Sequence, residues 1–128
     1  MPRTARRKQI LIIDPDTPSA TRLRATIDGL GYRGLAVKPT DAMTLARGLR
    51  LYLAVLDDAI PPDDLAHLAT QLHRAAVPVV VLYTPSPPAA GEPSSPPPSI
   101  AGATAYLAKP WRTTDIVQML YRFLGAPA

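Results

Sequence analysis

Four polar clusters stand immediately behind apolar runs. Asp14 and Asp16 follow Gln9-Ile10-Leu11-Ile12-Ile13, and Asp57 and Asp58 follow Leu53-Ala54-Val55-Leu56. Tyr83-Thr84 follows Val79-Val80-Val81-Leu82, and Lys109-Pro110 follows Ala105-Tyr106-Leu107-Ala108. Carboxylates, hydroxyls and a lysine suit a phosphoryl group and a divalent cation. A carboxylate can attack a phosphoryl donor once a cation shields the charge. The clusters meet only if the runs are parallel strands. All four ends then lie at one edge, where open α/β sheets carry their sites.

The elements that must hold them follow from periodicity. Residues 9–13 are apolar after Gln9, as a strand buried on both faces requires. Thr17-Pro18 reads as an N-cap with proline at the first helical position, and Leu23, Ile27 and Leu30 continue at helical spacing. Tyr32 to Val37 is a second strand. Pro39-Thr40-Asp41 opens a helix carrying Met43, Leu45, Ala46 and Leu49. Tyr52 to Leu56 is the third strand. Pro61-Pro62-Asp63-Asp64 opens a helix with Leu65, Leu68 and Leu72 on one face. Val77 to Leu82 and Ala103 to Ala108 are the last two strands. Thr113-Thr114-Asp115 caps a final helix striped by Ile116, Leu120, Phe123 and Leu124. Alternating strands and helices predict a parallel sheet covered on both faces. One helix is missing from the alternation. Between the fourth and fifth strands, residues 85–98 hold seven prolines in fourteen positions. Each removes an amide donor and clashes with the preceding turn, so this segment is expected to be extended or disordered.

Length and composition narrow the function. A chain of 128 residues fits one domain: a basic arm at 1–8, a body at 9–125 with a Pro-rich loop at 85–99, and a tail at 126–128. There is no cysteine, which excludes thiol chemistry and Cys-based metal sites. The apolar runs are too short to span a bilayer, and the N-terminus does not read as a secretory signal. A cytoplasmic location and no membrane partner are therefore expected. The formal net charge is +4, and the arm is rich in arginine. No aromatic stacking platform accompanies that charge in the sequence, so it reads as a solvated terminus and argues against a nucleic-acid partner. His67 and His73 lie six apart on the third helix, do not share a face, and read as solvated side chains.

Taken together, the chain resembles the receiver domain, the phosphoacceptor module of two-component response regulators. The resemblance rests on Ile12-Ile13-Asp14-Pro15-Asp16, on Val55-Leu56-Asp57-Asp58-Ala59-Ile60-Pro61, on Pro78 to Thr84 and on Gly102 to Trp111. It implies an α/β, flavodoxin-like, doubly wound five-stranded parallel sheet in order 2-1-3-4-5, with the fourth helix replaced by the Pro-rich loop. It implies Asp57 as phosphoacceptor and Lys109 as the phosphate-binding lysine. Thr84 and Tyr83 fall at the phosphate-site hydroxyl, Tyr106 at the switch aromatic, and Asp14, Asp57 and Ala59 at the metal.

Two departures weaken that function. The second acid of the family's metal pair falls on Pro15, which has no side-chain oxygen. Asp16 could replace it only by turning inward, and a carboxylate before Thr17-Pro18 is better placed to serve the helix N-terminus. The family's short hydroxyl falls on Tyr83, with Thr84 one position beyond. Mg²⁺ binding is thus expected to be weak. The favoured reading is an atypical, non-enzymatic receiver acting through protein–protein interaction, with phosphorylation at Asp57 weak or dispensable. The alternative is a conventional receiver phosphorylated on Asp57 by a histidine kinase with Mg²⁺. Expected partners are a histidine kinase or another signalling protein, and a homodimer stays open. A remote third reading comes from Asp14-Pro15-Asp16-Thr17, which resembles the motif of haloacid-dehalogenase-type phosphatases. There, however, the later acidic pair should follow the lysine, and Asp57-Asp58 precedes Lys109.

Overall fold

A computed structural model describes residues 7–86, 90–91 and 99–125. The chain runs β1 (Gln9–Ile13), α1 (Thr17–Gly29), β2 (Arg33–Val37), α2 (Pro39–Gly48), β3 (Leu51–Asp57), α3 (Pro62–Arg74), β4 (Val79–Tyr83), β5 (Ala105–Ala108), α4 (Thr113–Leu124). The five strands form one parallel sheet in the order β2-β1-β3-β4-β5. All strand C-termini therefore share one edge.

Alternation along the strands builds two cores. Ile10, Ile12, Leu53 and Val55 face one side, where Leu23 and Ile27 of α1 and Ile116 and Leu120 of α4 cover them. Leu11, Ile13, Ala54 and Leu56 face the other, under Leu65, Leu68 and Leu72 of α3. Each such Leu or Ile contributes about 1.5–3 kcal/mol when fully buried, which fixes strand register firmly.

The helix ends differ from the expectation by one residue. Asp16, not Thr17, is the N-cap of α1, because its Oδ2 accepts from the Ser19 amide at 3.1 Å. The N-cap of α4 is Arg112 instead of Thr113, and Asp115 reaches back to accept from the Arg112 amide at 2.7 Å. In both cases a carboxylate satisfies a free amide at the helix start, from the N-cap itself in α1 and from inside the first turn in α4.

Residues 87–89 and 92–98 of the Pro-rich segment lie outside the described residues. The described residues between β4 and β5 hold no helix. The returning chain packs hard against α3. Gly102 has φ +87°, and a Cβ there would meet the Ala69 carbonyl carbon at 2.6 Å and the Thr70 nitrogen at 2.7 Å. Thr104 then stitches the chain to β4: its amide donates to the Val79 oxygen at 2.7 Å, and its Oγ1 accepts from the Val79 amide at 3.1 Å.

Candidate functional site

The parallel sheet brings the four clusters to one edge. Asp57 is the last residue of β3 and only 3% exposed. Its Oδ1 accepts from the Ala59 amide at 2.8 Å. Lys109 follows β5, and a cis bond joins it to Pro110. Its ammonium lies 2.9 Å from Asp57 Oδ1, 3.1 Å from Asp57 Oδ2 and 2.7 Å from Asp58 Oδ1. The two oxygens of one carboxylate subtend too small an angle at the nitrogen to take separate N–H donors, so Asp57 shares one N–H of the ammonium and Asp58 takes a second.

Asp58 is the residue to which sequence reasoning assigned no role. Its Oδ1 holds Lys109, and its Oδ2 accepts from the Thr84 amide at 2.6 Å. One carboxylate thus ties the end of β4 to the lysine behind β5. The available signal was the Asp57-Asp58 doublet itself. At the end of a strand the first acid enters the sheet edge, while the second is free to reach the neighbouring loop.

The charges respond to these contacts. Burial pushes the Asp57 carboxyl above its ordinary value, and the Asp14 charge adds to the rise, while the Ala59 amide and Lys109 pull it back. Burial also opposes the charge on Asp58, but Lys109 and the Thr84 amide overcome it and hold that carboxyl below the ordinary value. Lys109 is raised: the two carboxylates outweigh the burial that would lower it.

The remaining expected residues are placed unevenly. Asp14 is half-buried at the end of β1 and close enough to raise Asp57, and its Oδ1 accepts from the Asp16 amide at 2.9 Å. Pro15 and Asp16 are exposed. Thr84 is exposed, and Tyr83 is half-buried. The Tyr83 and Tyr106 rings meet edge-to-face, 6.3 Å apart at 83°. The Tyr106 hydroxyl accepts from the Ile100 amide at 2.8 Å, a bond the sequence did not reveal. Arg22 sits 4.2 Å over the Trp111 ring and donates to the Trp111 oxygen at 3.2 Å, which pins the turn behind Lys109. A cleft of about 530 Å³ opens beside Asp58 and Thr84, with Ile60, Leu65 and Ile100 in its wall. His67 and His73 are both exposed on α3.

No protein-family model matches the sequence, and no curated protein matches it. Solved structures do. The signal receiver domain of an HD domain-containing protein from Pseudomonas fluorescens is 22% identical, with TM-score 0.72 over 93% of this chain and 95% of that one. A response regulator receiver protein from Burkholderia phymatum is 20% identical, with TM-score 0.73 over 95% and 98%. The receiver domain of a sensor histidine kinase from Pseudomonas aeruginosa is 22% identical, with TM-score 0.72 over 94% and 99%, and holds a magnesium ion in its active-site cleft. The fold is that of the response-regulator receiver domain. The chain carries that fold with proline at position 15, tyrosine at position 83 and an aspartate doublet at 57 and 58.

The donor set here does not fit a tight Mg²⁺ site. Mg²⁺ demands near-octahedral oxygen ligation close to 2.1 Å. Pro15 offers no side-chain oxygen, and the Asp16 carboxylate is engaged at the start of α1. Both oxygens of Asp57 face Lys109. Among the described residues no group of three His, Cys, Asp or Glu side chains could hold a metal.

Proposed function

We propose that this chain is an atypical receiver module of two-component signalling that acts by binding a protein partner, with phosphorylation at Asp57 weak or dispensable. One observation carries the reading: Lys109 is held by two carboxylates at once, Asp57 and Asp58. A phosphoryl group on Asp57 would have to share the lysine with Asp58, whose ionised form the site favours. Two further contacts support it. The Thr84 amide is bound to Asp58, and the Tyr106 hydroxyl is bound to Ile100. The groups that would answer a phosphoryl group thus have partners in its absence. A ligand shifts an equilibrium only by its differential interaction with the two states. The cleft beside Thr84, walled by Ile60, Leu65 and Ile100, suits an apolar side chain of a signalling partner such as a histidine kinase. On this reading the module is not an enzyme.

The buried Asp57–Lys109 pair at the sheet edge favours the alternative, a conventional phosphoacceptor. Partner capture by wild type, Asp57→Asn and Asp57→Ala protein separates the two. Equal affinity is expected. Loss of binding in both variants, with a phosphorylated Asp57 found by mass spectrometry after acetyl-phosphate treatment, would return the chain to the conventional class.

A further inference from the structure

Charge is segregated between the two edges of the sheet. The C-terminal edge is acidic on balance: Asp14, Asp57 and Asp58, with Asp63, Asp64 and Asp115 on the first turns of α3 and α4, outnumber Lys38, Lys109 and Arg112. The opposite edge is basic. Arg7 and Lys8 precede β1, Arg33 opens β2 and Arg50 precedes β3, and parallel pairing sets these side by side. Arg47, Arg74 and Arg122 lie in the last turns of α2, α3 and α4, which return to the same edge. Cations at helix C-termini complement the helix dipole and need no further account. Lys8 has a similar reason, since its Nζ donates to the Leu124 oxygen at the end of α4 at 3.0 Å, whereas Arg7, Arg33 and Arg50 have no such contact among the described residues. Arg7, Arg33 and Arg50 are exposed, and none is paired with a carboxylate among the described residues. Asp28, the acid nearest this edge, is spent on the Gly34 amide and on Arg24.

A second feature lies on the same edge. The β1–β3 register pairs Gln9 with Leu51 and Ile10 with Leu53, which leaves Tyr52 as the extra residue of a bulge. Bulges are rare in parallel pairs and re-aim side chains. Two cations approach the half-buried Tyr52 ring, with Lys8 Nζ 5.6 Å and the Arg50 guanidinium 5.2 Å from its centroid. Two like charges beside one ring repel each other, and a nearby anion would relieve that repulsion.

We infer that the N-terminal edge of the sheet, centred on Tyr52, Arg33 and Arg50, is a binding surface for single-stranded nucleic acid. Guanidinium groups suit phosphates, and an unpaired base can stack on the accessible part of the half-buried Tyr52 ring. The starts of β2, β1 and β3 lie about 4.8 Å apart, so the cations spread over about 10 Å, a span a flexible phosphodiester strand can follow. An anionic membrane is less suited. The large exposed apolar side chains among the described residues are Leu49 and Tyr121, too few for an inserting patch. The site lies across the sheet from Asp57 and does not depend on the signalling role.

The test is fluorescence anisotropy of the full chain with a labelled oligothymidine of about 20 nucleotides at about 50 mM salt. Binding should weaken as salt rises. Arg33→Ala combined with Arg50→Ala should weaken it about tenfold and flatten the log–log salt slope by about 1.4. Tyr52→Leu should weaken oligonucleotide binding about tenfold and leave inorganic polyphosphate binding unchanged. Each arginine variant is also measured singly, with a melting curve, so that a folding defect in one leaves the other to decide. Absence of binding at about 50 mM salt overturns the inference. So does affinity unchanged by the arginine substitutions, or binding to phosphatidylglycerol vesicles without binding to the oligonucleotide.

Discussion

Asp57 and Asp58 are neighbours in sequence, share one lysine, and respond oppositely to the fold. Burial raises Asp57, so the folded state disfavours its charge; the contacts of Asp58 lower it, so the folded state favours that charge. At pH 7 both are ionised in the unfolded chain. Asp58→Asn should therefore destabilise the protein by about 1–3 kcal/mol, the range for a charge-assisted hydrogen bond. Asp57→Asn should be near neutral or stabilising, since Asp58 still balances Lys109. Urea unfolding of the two variants checks this, and equal losses would refute it. The pH dependence follows from the sign. A carboxyl lowered by folding stabilises above its unfolded pKa, and the gain is lost as pH falls through the folded value. The gap between wild type and Asp58→Asn should be full at neutral pH and shrink below about pH 4. Pro15 carries the next prediction. Supplying the missing oxygen by Pro15→Asp should tighten Mg²⁺ binding about tenfold or more. The single tryptophan, Trp111, lies two residues beyond Lys109 and reports binding by its fluorescence. Unchanged affinity would mean that position 15 is not a ligand position. At this scale the sequence revealed Asp14, Asp57 and Lys109 by residue type and strand end. Asp58 escaped because its role depends on where the Thr84 amide and the lysine arrive from two other strands.

The elements were legible because their signals are local. Apolar runs marked β1, β3 and β4, and spacing of leucines marked α3. Boundaries were less so. Asp16 caps α1 through a contact with Ser19, and only the backbone path shows which of two adjacent polar residues makes that bond. The prolines predicted no helix before β5, and the described part of that connection agrees, but composition could not say what anchors the crossover. The structure assigns that work to Gly102. Its φ of +87° disfavours any side chain, and an added Cβ would meet the Ala69 carbonyl at 2.6 Å. Gly102→Ala should cost about 2–4 kcal/mol, combining backbone strain with displacement of α3. Urea unfolding measures the loss. A cost under about 0.5 kcal/mol, the range of an ordinary surface change, would show that the connection packs loosely on α3.

Across the whole molecule, a close-packed sheet separates an acidic edge from a basic one. Five-residue strands such as β1 put the edges about 17 Å apart, roughly twice the Debye length of about 8 Å at physiological salt. The Coulomb coupling of a charge added at Asp57 to Arg33 and Arg50 falls with that distance and is reduced further by solvent around the exposed arginines. A mechanical route is no better supplied. Ile10 to Ile13, Leu53 to Leu56 and Val79 to Leu82 are all at most 2% exposed, and a packed interior yields to discrete rearrangements and resists gradual ones. The groups at the acidic edge that could rearrange, Thr84 and Tyr106, already have partners in Asp58 and Ile100. Beryllofluoride with Mg²⁺, a stable mimic of the phosphoryl group, should therefore shift amide resonances only near residues 14–17, 57–60, 83–84 and 106–111. Oligonucleotide affinity should change less than twofold, or about 0.4 kcal/mol. Shifts reaching Gln9, Arg33 or Tyr52, with a matching change in affinity, would show instead that the Asp58–Lys109 tie opens on modification. The two edges would then be coupled through the sheet, and Asp57 would act as a conventional phosphoacceptor.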